Sequence, residues 1–166
     1  EAPVFSTGTS YGTNENTTAV GTVAASVSGG TVSYDISGGA DAGLFAIDAA
    51  SGVLSFVAAP NFETPADAGA DNVYDLTIVA TANGQSASQA LTVSVADVNE
   101  GQAFASPSSF GVSENGTAVG TVSATDLDGD DVSYSISGGA DAALFIINGT
   151  TGELAFVSAQ NFEAPA

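Results

Sequence analysis

The chain has 166 residues, of which 19 are Asp or Glu and none is Lys, Arg, His or Cys, giving a formal charge of −19. Nothing here can neutralise a phosphate backbone or an anionic lipid surface, so nucleic-acid and membrane-surface binding are excluded. Ser-His and Cys-His catalysis lack their base, zinc and copper lack their usual ligands, and what survives is oxygen chemistry: hard cations such as calcium, or in principle a paired-carboxylate glycosidase.

In chain order, period-two alternation dominates. It predicts strands near residues 3–11, 19–25, 31–37, 43–48, 53–58, 72–82 and 86–96. Val32, Tyr34 and Ile36 alternate with Ser33, Asp35 and Ser37, and Tyr74, Leu76, Ile78 and Ala80 alternate with Asp75, Thr77 and Val79. Leu91, Val93 and Val95 do the same. Phe45 and Ile47, a turn over 49–52, then Leu54 and Phe56 read as a hairpin. The pairs Gly38-Gly39 and Gly138-Gly139 punctuate strand ends, and Gly38–Asp41 reads as a turn. No window has a convincing helical period. About seven short strands in roughly one hundred residues predict a Greek-key β-sandwich.

The chain then repeats itself. Residues 31–66 read TVSYDISGGADAGLFAIDAASGVLSFVAAPNFETPA and residues 131–166 read DVSYSISGGADAALFIINGTTGELAFVSAQNFEAPA. A complete repeat over 1–98, a linker over 97–101 and a second repeat over 102–166 follow from this period. The second copy has no counterpart of the last two strands, 73–81 and 87–95. Either it is a trimmed fragment, or neighbouring chains supply those strands and build a fibre. No signal-peptide pattern and no apolar run near 18 residues occurs, so this stretch neither targets itself nor spans a membrane.

Four acidic clusters flank predicted strand ends: Asn14-Glu15-Asn16, Asn61-Phe62-Glu63, Asp97-Val98-Asn99-Glu100 and Asp126-Leu127-Asp128-Gly129-Asp130-Asp131. With no side-chain cation available, they must be diluted by solvent and salt or neutralised by metal.

These clusters, with Gly21-Thr22-Val23, Val32-Ser33-Tyr34-x-Ile36, Phe45-x-Ile47-Asp48, Gly52-x-Leu54 and the 74–80 strand, resemble the cadherin repeat. More specifically, they resemble the cadherin-like tandem repeats of large bacterial surface proteins. Each motif alone is weak; their order and spacing over nearly the whole chain are specific. The resemblance implies calcium bound between successive repeats. Glu15 then corresponds to the early Glu of the upstream repeat. Asn61 and Glu63 match its Asp-x-Glu, with Asn for the first Asp. Asp97, Asn99 and Glu100 match the linker Asp-x-Asn-Asp, with Glu for the last Asp, and Asp126 and Asp128 match the downstream Asp-x-Asp. The carboxylates of Glu15, Glu63, Asp97, Glu100, Asp126 and Asp128 would repel one another by about 1 kcal/mol per pair at 4 Å even in water, and two or three divalent ions would cancel most of this.

The departures matter equally. Where the second copy has Asp126-Leu127-Asp128, the first has Val27-Ser28-Gly29 and is one residue shorter. The late Asp of the family pattern is Ala82. Glu114 and Glu163 repeat an upstream half-site with no further repeat to complete it. Asn16, Asn115 and Asn148 fit the N-glycosylation pattern, which a Ser/Thr-rich chain produces by chance.

The resulting expectation is a non-enzymatic, calcium-stiffened adhesive repeat segment of an extracellular surface protein, whose partners are neighbouring repeats, with self-association into fibres as one alternative. A calcium-dependent module for glycans or another cell-surface partner is the other. That one wants an exposed aromatic platform, whereas Trp is absent and Tyr11, Tyr34, Tyr74 and Tyr134 sit mostly at strand positions that look buried.

Overall fold

A computed structural model describes residues 1–163; the last three residues of the second repeat, 164–166, lie outside the described residues. The fold is all-β, interrupted only by two single 3-10 turns among the described residues. It divides into two compact units, Glu1–Val98 and Asn99–Ala166.

The first unit has nine strands: β1 (Val4–Phe5), β2 (Ser10–Asn14), β3 (Ala19–Thr22), β4 (Ala25–Ser26), β5 (Ser33–Gly38), β6 (Phe45–Ile47), β7 (Val53–Phe56), β8 (Val73–Ala82) and β9 (Gln85–Ala96). Four of them form one sheet in the order β2-β9-β8-β5, and three form another in the order β3-β7-β6, with β1 paired to β4. The long β8–β9 hairpin is the backbone of the first sheet, running antiparallel from Val73↔Ser94 to Ala82↔Gln85. Its turn places Asn83 and Gly84 at φ of 51° and 72°, the left-handed pair that suits the twist of a two-residue hairpin.

Alternation decides the core. Tyr74, Leu76, Ile78, Ala80 and Ala82 of β8 are buried, and so are Leu91, Val93 and Val95 of β9. They pack against Phe45, Leu54 and Phe56 of the opposite sheet, against Val23 just beyond β3, and against Tyr34. Full burial of such aliphatic and aromatic side chains contributes about 1.5–3 kcal/mol each. Tyr74 stands edge-on to both Phe45 and Phe56, with ring centroids 6.0 and 5.0 Å away, the favoured geometry for aromatic pairs. The Tyr34 hydroxyl accepts the Ala25 amide at 2.8 Å and donates to its carbonyl at 3.2 Å, so this ring is buried without an orphaned polar tip.

Three local expectations need correction. The strand expected over 3–11 is two strands in different sheets: β1 pairs with β4, whereas β2 runs parallel to β9. The 19–25 strand likewise ends at Thr22, and β4 begins at Ala25. The 43–48 segment opens as a 3-10 turn, Ala42–Leu44, before β6.

The second unit has β10 (Ala103–Phe104), β11 (Ala118–Thr121), β12 (Ala124–Thr125), β13 (Phe145–Ile147) and β14 (Glu153–Phe156). The order β11-β14-β13 reproduces β3-β7-β6, and β10-β12 reproduces β1-β4. Even the register shift between Ala19 and Gly21 recurs between Ala118 and Gly120. Residues 133–138 and 109–113, the counterparts of β5 and β2, are not strands. Their ladder partners would be equivalents of β8 and β9, which residues 1–166 do not contain a second time. An extended segment becomes a strand only when its amides and carbonyls find a ladder.

Candidate metal-ligating residues

The acidic residues of the two units are built by loops at strand ends, and each unit holds its own set. In the first unit Glu15 follows β2 directly and is 2% exposed. One carboxylate oxygen accepts the Phe62 amide at 2.9 Å and the other accepts the Val98 amide at 2.9 Å. Its own amide donates to Ala96, and the Asn16 amide donates to Pro60. Glu15 therefore ties the 61–63 loop and the exit from β9 to the end of β2. Asn16 makes the required tight turn at φ 59°, a conformation Asn tolerates better than other side chains.

The 61–63 loop is itself fixed by Asn61, whose Oδ1 accepts the Thr64 amide at 2.7 Å and the Thr64 hydroxyl at 2.5 Å. Glu63 follows, with one oxygen within 4.8 Å of an oxygen of Glu15 and one within 4.8 Å of an oxygen of Asp97. Glu63 Oε2 is buried and has no hydrogen-bond partner among the described residues. Anions this close repel by about 1 kcal/mol even at the dielectric of water.

In the second unit the 126–130 loop coils around one carboxylate. Asp126 Oδ1 accepts the amides of Asp128 at 3.0 Å and Asp130 at 3.4 Å. Gly129, at φ 79°, allows the turn between them. Asp128 Oδ2 accepts the Glu100 amide at 2.6 Å, and Asn99 Nδ2 donates to Asp130 Oδ2 at 2.9 Å. The loop thus holds Asn99 and Glu100 beside it. The second oxygens, Asp126 Oδ2 and Asp128 Oδ1, are buried and have no hydrogen-bond partner among the described residues. A buried anionic oxygen with no donor is costly, and no Lys, Arg or His exists to compensate it.

Glu15, Asn61, Glu63 and Asp97 thus lie in the first unit, and Asn99, Glu100, Asp126 and Asp128 in the second. Asp130 was not among the expected ligands, although its place two residues beyond Asp128 in an Asp-x-Asp-x-Asp run was the available signal. Asp41 and Asp67 are buried carboxylates that serve structure. Asp41 accepts the amides of Ala68 and Asp75, both at 2.7 Å, so the last residue of the turn expected at 38–41 is a buried anchor for β8. Burial disfavours ionisation of Asp67, but the Asp71 and Asn72 amides outweigh it and hold its pKa below the ordinary carboxylate value.

No family model and no curated relative matches the sequence. Solved structures do. A protocadherin gamma B2 fragment of extracellular cadherin domains 3–6 is 24% identical with a TM-score of 0.53, over 98% of this chain and 44% of that one. Human protocadherin-24 domains EC1-2 are 20% identical with a TM-score of 0.63, over 100% of this chain and 82% of that one. Mouse cadherin-23 EC22-24 is 24% identical with a TM-score of 0.53, over 98% and 56%. The chain therefore spans about half the length of the first and third of these fragments. Among the described residues no helix is long and apolar enough to cross a membrane. Two sheets in the orders described, closed over one alternating core in the first unit, carry the conclusion that this chain has the cadherin-like Greek-key β-sandwich fold.

Proposed function

We propose that this chain is a non-enzymatic tandem-repeat segment of an extracellular surface protein, one of the large bacterial type its motifs resemble, stiffened by calcium held where one repeat follows the next. The observation that carries this reading is the pair of buried, donor-free oxygens on Asp126 and Asp128, in a chain with no side-chain cation. Calcium takes six to eight oxygens in loose geometry, and mixed carboxylates and amides suit it better than any softer metal. The residues that would hold it are Glu15, Asn61, Glu63, Asp97, Asn99, Glu100, Asp126 and Asp128.

The chain's own contribution is positioning. Glu15 sets the 61–63 loop and Val98, while Asp128 sets Glu100, so ligand-bearing loops on both sides are organised by the same carboxylates. Neutralising them removes repulsion from the folded state alone, which couples metal binding to stability. At calcium one hundred times its dissociation constant this linkage is about 2.7 kcal/mol, on the order of 10 °C in melting midpoint. Calorimetric calcium titration with parallel melts in calcium and in chelator tests it. Asp97→Ala and Asp128→Ala should each abolish most of the calcium-dependent rise. Identical melts with and without calcium would overturn the proposal.

A further inference from the structure

In the first unit the turn that opens β8 reaches into the 61–63 loop. Asn72 is 8% exposed and stands at φ 61°. Its Nδ2 donates to the Phe62 carbonyl at 2.9 Å, while the Phe62 amide donates to Glu15 Oε2 at 2.9 Å. The peptide groups on both sides of Phe62 are thus held, one by Glu15 and the other by Asn72. The one held by Asn72 leads into Glu63. Because a peptide group is planar, fixing its carbonyl also fixes the Glu63 nitrogen and the direction in which that side chain departs.

Asn72 is itself held from two sides. Its amide donates to Asp67 Oδ1 at 3.1 Å, and its carbonyl accepts the Val95 amide of β9 at 2.9 Å. Asp67 takes the Asp71 amide on its other oxygen at 3.1 Å, and the Ala68 amide is tied to Asp41. Residues 67–72 are therefore anchored on two buried carboxylates and on β9. A left-handed turn alone asks only for glycine. Asn72 instead buries a carboxamide whose Oδ1 has no hydrogen-bond partner among the described residues, and a buried acceptor without a donor is destabilising. What the carboxamide supplies is the contact of its Nδ2 with the 61–63 loop.

We propose that Asn72 is a positioning residue for the calcium ligands of the first unit, acting through the peptide group between Phe62 and Glu63. This rests on the calcium reading above. Glu63 has one oxygen within 4.8 Å of an oxygen of Glu15 and one within 4.8 Å of an oxygen of Asp97. Before an ion arrives these anions repel, and the repulsion pushes Glu63 and its loop outward. Asn72 opposes that motion with a neutral donor, in a chain that has no Lys, Arg or His to do so. The loop then meets calcium already arranged, and less ordering has to accompany binding. Removing a group that orients a metal ligand typically weakens metal affinity by about tenfold to a hundredfold.

The test compares the full chain with Asn72→Gly, which keeps the left-handed turn and deletes the donor, and Asn72→Asp, which keeps the shape and adds a charge. In chelator, the Phe62 amide should exchange faster in both variants while the amides of the β8–β9 ladder keep their protection. In calorimetric titration with calcium, both should bind about tenfold more weakly than the parent. Asn72→Asp separates placement from charge, because an added carboxylate tightens calcium binding if charge alone governs it. Parental or tighter affinity in Asn72→Asp would therefore overturn the proposal, as would parental affinity with an unchanged Phe62 amide in Asn72→Gly. Loss of ladder protection in both variants would also overturn it, since Asn72 would then be holding β8 and not the ligand loop. A parent chain that binds no calcium sinks the calcium reading and this role with it, whereas a parent that binds, with both variants its equal, sinks the role of Asn72 alone.

Discussion

Ser33–Gly38 and residues 133–138 differ in one side chain, Asp35 against Ser135, yet the first is a strand and the second is not. The same holds for core positions. Leu54 is fully buried and Phe56 nearly so, while Leu154 and Phe156 are only half-buried. What differs is the presence of β8 and β9, whose side chains close one sandwich and whose backbones complete two ladders. Strand identity at these positions is a property of the pairing, and local propensity is a weak prior that tertiary context overrides. The half that stays ordered in both units, β3-β7-β6 and β11-β14-β13, is the sheet that needs no partner from the hairpin.

The largest test of this contrast is a matched pair of core truncations. Leu54→Ala empties a closed core and should destabilise the first unit by about 3 kcal/mol. Leu154→Ala, at the equivalent but half-open position, should cost less than half of that, because solvent already reaches the site and little cavity remains. Residue-resolved hydrogen exchange under increasing denaturant reads each unit separately. Equal losses at the two positions would mean that the hairpin is not what closes the core.

A second pair compares the two Glu residues that follow the motif at each copy's start. Glu15 is buried and receives two amides, from Phe62 and Val98; Glu114 is exposed and receives one, from Phe162 at 3.0 Å. Glu15→Ala leaves two partly buried donors without an acceptor, about 3 kcal/mol in all. Glu114→Ala should cost below about 1 kcal/mol. Measuring both in chelator keeps any metal contribution out of the comparison, and a Glu114→Ala loss as large as that of Glu15→Ala would contradict it.

Much of this architecture is legible in the residues themselves. The alternation of Tyr74, Leu76, Ile78 and Ala80 gives β8 its buried face directly, and the repeat period gives the two units. The parallel pairing of β2 with β9 is not legible, because its partners lie about eighty residues apart and alternation carries no strand direction. The failure of residues 133–138 to pair is not legible in their own letters, which are nearly those of β5, but it is legible in the lack of a second copy of 73–96 within residues 1–166. At the acidic sites, motif spacing points to Glu15 and Asp128 but not to what they do. Glu15 draws its donors from 47 and 83 residues away. Asp41 reads as a turn residue because its donors, Ala68 and Asp75, enter only when β8 is in place.

The smallest expected effect comes from a turn that the two copies build with different chemistry. Asp48 Oδ1 accepts the Ser51 amide at 2.7 Å, the Ser51 hydroxyl at 2.8 Å and the Ala50 amide at 3.1 Å. At the equivalent place Asn148 Oδ1 accepts the Thr150 and Thr151 amides, both at 3.0 Å. The Ser51 amide, then its hydroxyl, then the Ala50 amide hold the Asp48 pKa below its ordinary value of 3.8, against a small opposing effect of burial. A carboxyl whose folded value is depressed contributes stability that is present above the unfolded value and lost as pH falls through the folded one. The first-unit turn should therefore loosen in acid below pH 3.8, while the Asn148 turn, with nothing to titrate, stays as it is. Amide chemical shifts of Ala50 and Ser51 followed against those of Thr150 and Thr151 between neutral and acid pH measure the difference, and Asp48→Asn should make the first turn as insensitive as the second. Because Asp48 is exposed, the effect belongs to the turn and not to global stability. Parallel acid shifts in both turns would trace the change to unfolding of the units, and the carboxylate would then have no part in it.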